Sequence, residues 1–187
     1  MATPFPEGWQ KLSEKQVFNS RWVSIRCEDL VDPKGVHHEW YVTEHPDFVA
    51  VFCVTVEGKI VLNRQFKFGC KTWVIEPSAG YVEPGENPAL AAARELEEET
   101  GYIATSWEHY RTLVVSPTTQ DNRVHVFFAS GATPTGTVHR EPSEVIEQLV
   151  LTPQEVRAML DRGEVNTIAS VAVIEMGLRW LEERTGH

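Results

Sequence analysis

Cysteine is scarce in this 187-residue chain: Cys27, Cys53 and Cys70 are the only three, an odd number without metal-like spacing. That excludes a disulfide framework and reads as reduced thiols in a cytosolic protein. No apolar run approaches the ~18 residues of a membrane span, so none is expected. The opening Met-Ala-Thr-Pro-Phe-Pro lacks the charged and apolar parts of a signal peptide, and the protein is expected to stay in the cytoplasm. Basic residues are few: 17 Lys and Arg stand against 27 Asp and Glu, a formal net charge of −10. That balance argues against a nucleic-acid partner, which needs a basic face. It leaves room for a small phosphorylated substrate if something cationic stands between the two. Low-complexity tracts, long linkers and internal repeats are absent.

What is present is ordinary for a globular chain: 42% hydrophobic and 24% charged residues. A chain of this length buries roughly 70% of its unfolded surface, enough for a core without staples. The first third reads as strands. Residues 16–30 are rich in β-branched and aromatic side chains, Asp32-Pro33-Lys34-Gly35 is a turn, and His38 to Glu44 continues as a strand. Residues 16–44 are thus expected to form a hairpin. Asp47 to Val56 is a nearly continuous apolar run, as a buried strand requires. Lys59–Phe66, Trp73–Ile75, Tyr110–Val115, Val124–Ala129 and Val145–Leu151 read as further strands. The tail is helical. Thr152-Pro153-Gln154-Glu155 is a capping box, that helix should stop at Gly163, and Asn166 or Thr167 can cap a last helix. Its Ile168, Val171, Ile174 and Leu178 recur at helical spacing. The pattern is α+β or a three-layer sandwich.

One helix breaks local rules. Asn87 is a good N-cap, Pro88 suits the first helical position and Gly101 the residue past the end, so a helix over 88–100 is well bounded. At about 100° per residue, Glu95, Glu98 and Glu99 share one arc with Ala91 and Ala92, and Glu97 points the other way. Like charges at i,i+3 or i,i+4 repel by about 0.2–0.5 kcal/mol per pair. The helix dipole opposes carboxylates in the last turn by roughly 0.3–1 kcal/mol each. Two readings are open: a solvated acidic face, or a site for a hard dication such as Mg²⁺ or Mn²⁺. The preceding Ser78–Glu86 loop, with Gly80, Gly85 and further carboxylates, favours the second, because glycine lets backbone approach a ligand. Ala91 and Ala92 would then leave room for a bulky ligand.

Taken together, Gly80, Glu86, Arg94, Glu95, Leu96, Glu98, Glu99, Gly101 and Tyr102 resemble the Nudix box, G-x5-E-x7-R-E-U-x-E-E-x-G-U with U a bulky apolar residue. Every fixed position matches; Tyr102 stands where an aliphatic residue is commoner. The likeness extends over most of residues 15–180 and resembles most the ADP-ribose and nucleoside-diphosphate-sugar pyrophosphatases. It rests on Glu44-His45-Pro46-Asp47, Asn63-Arg64-Gln65-Phe66-Lys67, Glu76-Pro77-Ser78-Ala79-Gly80, and Pro117 in the position that marks the ADP-ribose group. Two departures are Glu76-Pro77-Ser78-Ala79, one residue longer than the usual motif, and Asn122, where many relatives have glutamate.

The resemblance implies a Nudix fold, with mixed β-sheets between helices (α/β/α) as residues 45–187 and residues 1–44 as an N-terminal β-hairpin extension. It implies Mg²⁺- or Mn²⁺-dependent hydrolysis of a nucleoside diphosphate linked to a sugar-type moiety, with two or three cations per site and ADP-ribose giving AMP and ribose 5-phosphate. Another nucleotide sugar such as GDP-mannose, a dinucleotide, or a non-catalytic nucleotide sensor are the alternatives. Glu95 and Glu99 are the expected metal ligands, with Glu98 close behind and the Ala79 carbonyl as a further oxygen. Arg94 and Glu86 would hold helix and loop in place; a plain i,i+4 ion pair between Arg94 and Glu98 is the competing reading. Glu144, then Glu141, on a late acidic loop are the candidate general bases, an exposed turn being the alternative. Arg64 and Lys67 are candidates to contact the pyrophosphate or ribose, or to pair with surface carboxylates. The base needs a flat apolar surface, for which Trp22 and Trp40, with Trp9 and Trp73, are candidates. The extension resembles an arm that crosses to a partner subunit, so a homodimer is expected.

Overall fold

The computed structural model describes residues 5–21, 23–136, 138 and 145–186. The chain divides into two compact units, Met1–Pro46 with Val114–Arg123, and Asp47–Leu113 with Val124–His187. Trp22, Glu141 and Glu144 lie outside the described residues.

In the first unit, β1 (Gln10–Asn19), β2 (Ser24–Val31) and β3 (His37–Glu44) form an antiparallel sheet in that order. The β2–β3 turn is the Asp32–Gly35 turn read from the sequence. The Asp32 carboxylate accepts from the Lys34 and Val36 amides at 2.8 and 2.9 Å, and Gly35 takes φ 82°. The alternation predicts one hairpin over 16–44, but the unit has three strands. The Ser20 hydroxyl accepts from the Val23 amide at 3.0 Å and closes a second turn, which separates β1 from β2. Residues 114–123 dock on β3: the Thr43 amide donates to the Thr119 carbonyl at 2.8 Å, and Arg26 pairs with Asp121 at 2.6 Å.

The second unit holds an eight-stranded mixed sheet. Its spine runs β11 (Ile146–Leu151), β5 (Ile60–Lys67), β4 (Phe48–Thr55), β10 (Arg123–Pro134) and β8 (Tyr102–Ile103). Off this path, β6 (Thr72–Glu76) pairs with β5, β7 (Ser78–Tyr81) with β4, and β9 (Ser106–Val114) with β10. Strand β4 is apolar from Phe48 to Val54 because both its faces are covered. Val49, Val51 and Cys53 pack with Ala91, Ala92 and Leu96 of α1 (Pro88–Thr100). Ala50, Phe52 and Val54 pack with Val156 of α2 (Pro153–Asp161) and with Val173, Ile174 and Leu178 of α3 (Ile168–Thr185). The unit is therefore an α/β/α sandwich, α1 on one face and α2 with α3 on the other.

Local signals place the helix ends where expected. Asn87 accepts from the Ala89 amide, Pro88 opens α1, and Gly101 closes it at φ 68°. Thr152 and Glu155 exchange the reciprocal bonds of a capping box, and Thr167 caps α3. Three expectations change. Residues 78–81 form a strand rather than a loop, because they pair with Phe48–Val51 of β4. Ala91 and Ala92 make no space for a ligand, being fully buried against the sheet. The inner face of α3 is Val173, Ile174, Gly177 and Leu178, while Ile168, at the helix start, is 92% exposed.

Candidate active site

The site is built where α1 crosses β7 and β5. Gly80 pairs with Val49, which faces α1, so the missing Gly80 side chain would point at the helix. A Cβ there would lie 2.0 Å from Cδ of Glu95. The Glu95 carboxyl thus sits directly over the Gly80 backbone, and it is this approach, not an unusual φ, that requires glycine. One turn further on, Glu99 is turned into the sheet and is only 6% exposed. Its Oε2 accepts from Ser78 Oγ (2.7 Å), Asn63 Nδ2 (3.0 Å) and the Ala79 amide (3.2 Å). Burial drives the Glu99 carboxyl up to about 8. The Ser78 and Ala79 donors oppose the rise, and the nearby Glu95 and Glu76 carboxylates add to it.

Arg94 organises the outer half of the stripe. Its Nε and Nη2 bond both Glu86 oxygens at 3.0 Å, and Nη2 also reaches the Tyr81 carbonyl at 3.0 Å. Its Nη1 bonds Glu95 at 2.7 Å and Glu98 at 3.1 Å. Glu86 accepts from the Glu83 amide as well, at 2.9 Å. The Arg94 hydrogen bond, more than any other contact, holds the Glu86 carboxyl below its ordinary range. One guanidinium therefore ties the loop to the helix and offsets charge on three carboxylates at once. The i,i+4 pair with Glu98 is present as part of that network. Glu97 is exposed on the far side, as the helical wheel requires.

A polar row floors the site. Asn63 of β5 is the ladder partner of both Gln148 of β11 and Glu76 of β6. Gln148 donates to the Thr100 carbonyl at 2.5 Å. Burial pushes the Glu76 carboxyl up, and Lys67, 2.6 Å away, opposes that shift. Lys67 lies two residues beyond Gln65 and four beyond Asn63, so it shares their face of β5. Arg64 has the opposite parity and is not brought to the carboxylates. It pairs with Glu147 at 2.7 Å and stacks over Trp73 at 4.3 Å. Trp40 belongs to the first unit, half exposed, its indole donating to the Thr118 carbonyl at 3.0 Å. Trp9, in the same unit, packs on His38. Asn63, Glu76, Ser78 and Gln148 received no role from the sequence. The one available signal was a polar Asn63 inside an apolar strand.

Residues 43–171 match the family described as the NUDIX domain. The chain belongs to the Nudix family. It is 38% identical over 118 residues to an ADP-ribose pyrophosphatase of Bacillus subtilis, the match covering 63% of this chain and 64% of that relative. It is 30% identical over 172 residues to an ADP-ribose pyrophosphatase of Mycobacterium tuberculosis, covering 89% of this chain and 82% of that one. A crystal structure of an ADP compounds hydrolase superposes with a TM-score of 0.85 at 21% identity, covering 97% of this chain and 98% of that chain. That likeness speaks for the Nudix fold. The chain spans just under two thirds of the Bacillus relative's length.

The Nudix carboxylates fit a hard dication by donor type, since Glu95, Glu98, Glu99 and the Ala79 carbonyl offer only oxygen. They also fit by charge, because the Glu95 and Glu76 carboxylates lie close enough to add to the rise at the buried Glu99. Among the described residues no three Asp, Glu, His or Cys side chains converge as a ready cation cage. Arg94 instead holds Glu95 and Glu98, while Glu99 bonds to the sheet.

Proposed function

We propose that this Nudix protein hydrolyses the pyrophosphate bond of a nucleoside diphosphate linked to a sugar-type moiety, with ADP-ribose and water giving AMP and ribose 5-phosphate. The observation that carries this reading is the stacking of Glu95 and Glu99 on β7 beneath Arg94, since so much clustered carboxylate is stabilised by a cation that also binds phosphate. The names of the two pyrophosphatase relatives support the substrate class.

Glu95 and Glu99, with Glu98 and the Ala79 carbonyl, would hold Mg²⁺ or Mn²⁺. When bound, the ion would neutralise phosphate charge, lower the pKa of water and stabilise charge developing at phosphorus. The protein's own part is to fix geometry. Arg94 keeps the loop and helix in register through Glu86, and Ser78 and Ala79 orient Glu99. Lys67, on the carboxylate face of β5, is assigned to the phosphates or ribose. Arg64 is reassigned to structural pairing with Glu147 and Trp73. Glu144, then Glu141, remain the proposed bases that take the proton from the attacking water, and Trp22 and Trp40 the proposed surfaces for the nucleobase. A homodimer whose N-terminal strands complete the partner's site belongs to the same reading.

The test is direct: protein and Mg²⁺ are incubated with a panel of nucleotide sugars and dinucleotides, and products are identified by mass. AMP and ribose 5-phosphate from ADP-ribose are expected. Glu99→Gln should lose more than the about 10–100-fold typical of residues that only support a metal ligand. Absence of any cleavage with Mg²⁺ or Mn²⁺ overturns the hydrolase reading and favours a nucleotide sensor. Preferred cleavage of another nucleotide sugar overturns the ADP-ribose assignment alone.

A further inference from the structure

Asn63 interrupts Ile60-Val61-Leu62, three residues that are 0–1% exposed, and is itself 1% exposed. Its side chain shares a face with Val61, which packs against Ala91, Ala92 and Leu96 of α1. Pleat and burial both call for an apolar residue here. The amide is instead used on one side only. Nδ2 donates to Glu99 Oε2 at 3.0 Å, whereas Oδ1 has no hydrogen-bond partner among the described residues. Glu99 Oε2 already accepts from the Ala79 amide, so the Asn63 nitrogen, not its oxygen, is the atom set against it. A buried carbonyl without a partner is unfavourable to folding. Local stability therefore does not explain an amide at this position, and such a breach of local rules points to a site.

The three donors to Glu99 Oε2, from Ser78, Ala79 and Asn63, divide by origin. Ser78 and Ala79 are consecutive in β7, the strand beneath α1. Asn63 comes from β5, which β7 does not pair with in the sheet. Asn63 thus holds the carboxylate from a second direction, and one rotamer follows from bonds on two sides. We propose that Asn63 is a positioning residue which pre-orders Glu99 for a divalent cation, a role beyond the Nudix box and resting on the carboxylate reading above. The residue strengthens the site at some expense to the fold.

Asn63→Leu keeps the approximate size and removes both polar atoms. Mn²⁺ is titrated calorimetrically into wild type and variant without substrate, and thermal midpoints are recorded in chelator. The expected result is a dissociation constant weakened about 10–100-fold, with a metal-free midpoint equal to or above that of wild type. Asn63→Ser, whose hydroxyl is too short to span to Glu99, should weaken binding likewise and serves if the leucine variant does not fold. A variant that binds Mn²⁺ within about twofold of wild type, against the range expected of a supporting residue, overturns the positioning role. A midpoint several degrees lower in chelator for both variants overturns it too, since Asn63 would then be a structural residue. Wild type that binds no Mn²⁺ overturns the carboxylate reading itself, an outcome separate from the others.

Discussion

Gly80 shows how little space separates backbone from carboxylate at this site. The atom an alanine would add there lies 2.0–2.2 Å from the Glu95 carboxyl carbon and oxygens. Because the clash is with the end of a flexible side chain, Glu95 can swing away at small cost to the fold. Gly80→Ala is therefore expected to leave the thermal midpoint nearly unchanged and to lower turnover about 10–100-fold, the range seen when a ligand's surroundings are disturbed. Wild-type kcat/KM in that variant would remove Glu95 from the proposed ligand set. Glu95, Glu98, Glu99 and Arg94 could be singled out from the sequence because their spacing on one helix is a local property. Asn63 and Glu76 could not. They reach Glu99 only because β5 and β6 pair in a particular register, across sequence separations of 36 and 23 residues that no periodicity records.

At the scale of elements, the caps were readable and the pairings were not. Asn87, Gly101, Thr152 and Thr167 act on amides or carbonyls within a few residues, so their types suffice. Residues 78–81 read locally as a loop because the partner that makes them a strand lies some thirty residues upstream in β4. The buried face of α3 departs from the apolar spacing for a similar reason. Ile168 fits the spacing, but the sheet begins beneath the next turn. There Gly177 lets the helix approach closely, and a Cβ would meet the Phe52 ring at 2.2–2.5 Å. Phe52 is fully buried against Phe128, with ring centroids 5.9 Å apart, and has little room to move. Gly177→Ala should destabilise the protein by about 1–3 kcal/mol through overpacking, read as a lower urea midpoint at unchanged m-value. An unchanged midpoint would mean that α3 does not rest on Phe52.

At the scale of the whole molecule, the first unit leaves a strand uncovered. All ten residues of β1 are exposed within the single chain, including Leu12 at 50% and Phe18 at 53%. Exposed apolar side chains along an edge strand favour association. Light scattering is expected to report about twice the 21.2 kDa chain mass at micromolar concentration; a mass of one chain ends the homodimer proposal. The amino-acid sequence by itself determined a bounded helix with its stripe of carboxylates, a β-rich frame, and an acidic balance that suits a cation-bridged anionic substrate. Those follow from interactions within a turn or two of helix, or from composition. Only the tertiary structure decided that Glu99 turns inward, that Lys67 and Arg64 part to opposite partners, and that residues 114–123 join the N-terminal unit. Strand pairing and helix docking set those outcomes, and both depend on contacts between residues far apart in the chain, where a shift of one position sends every side chain to the other face.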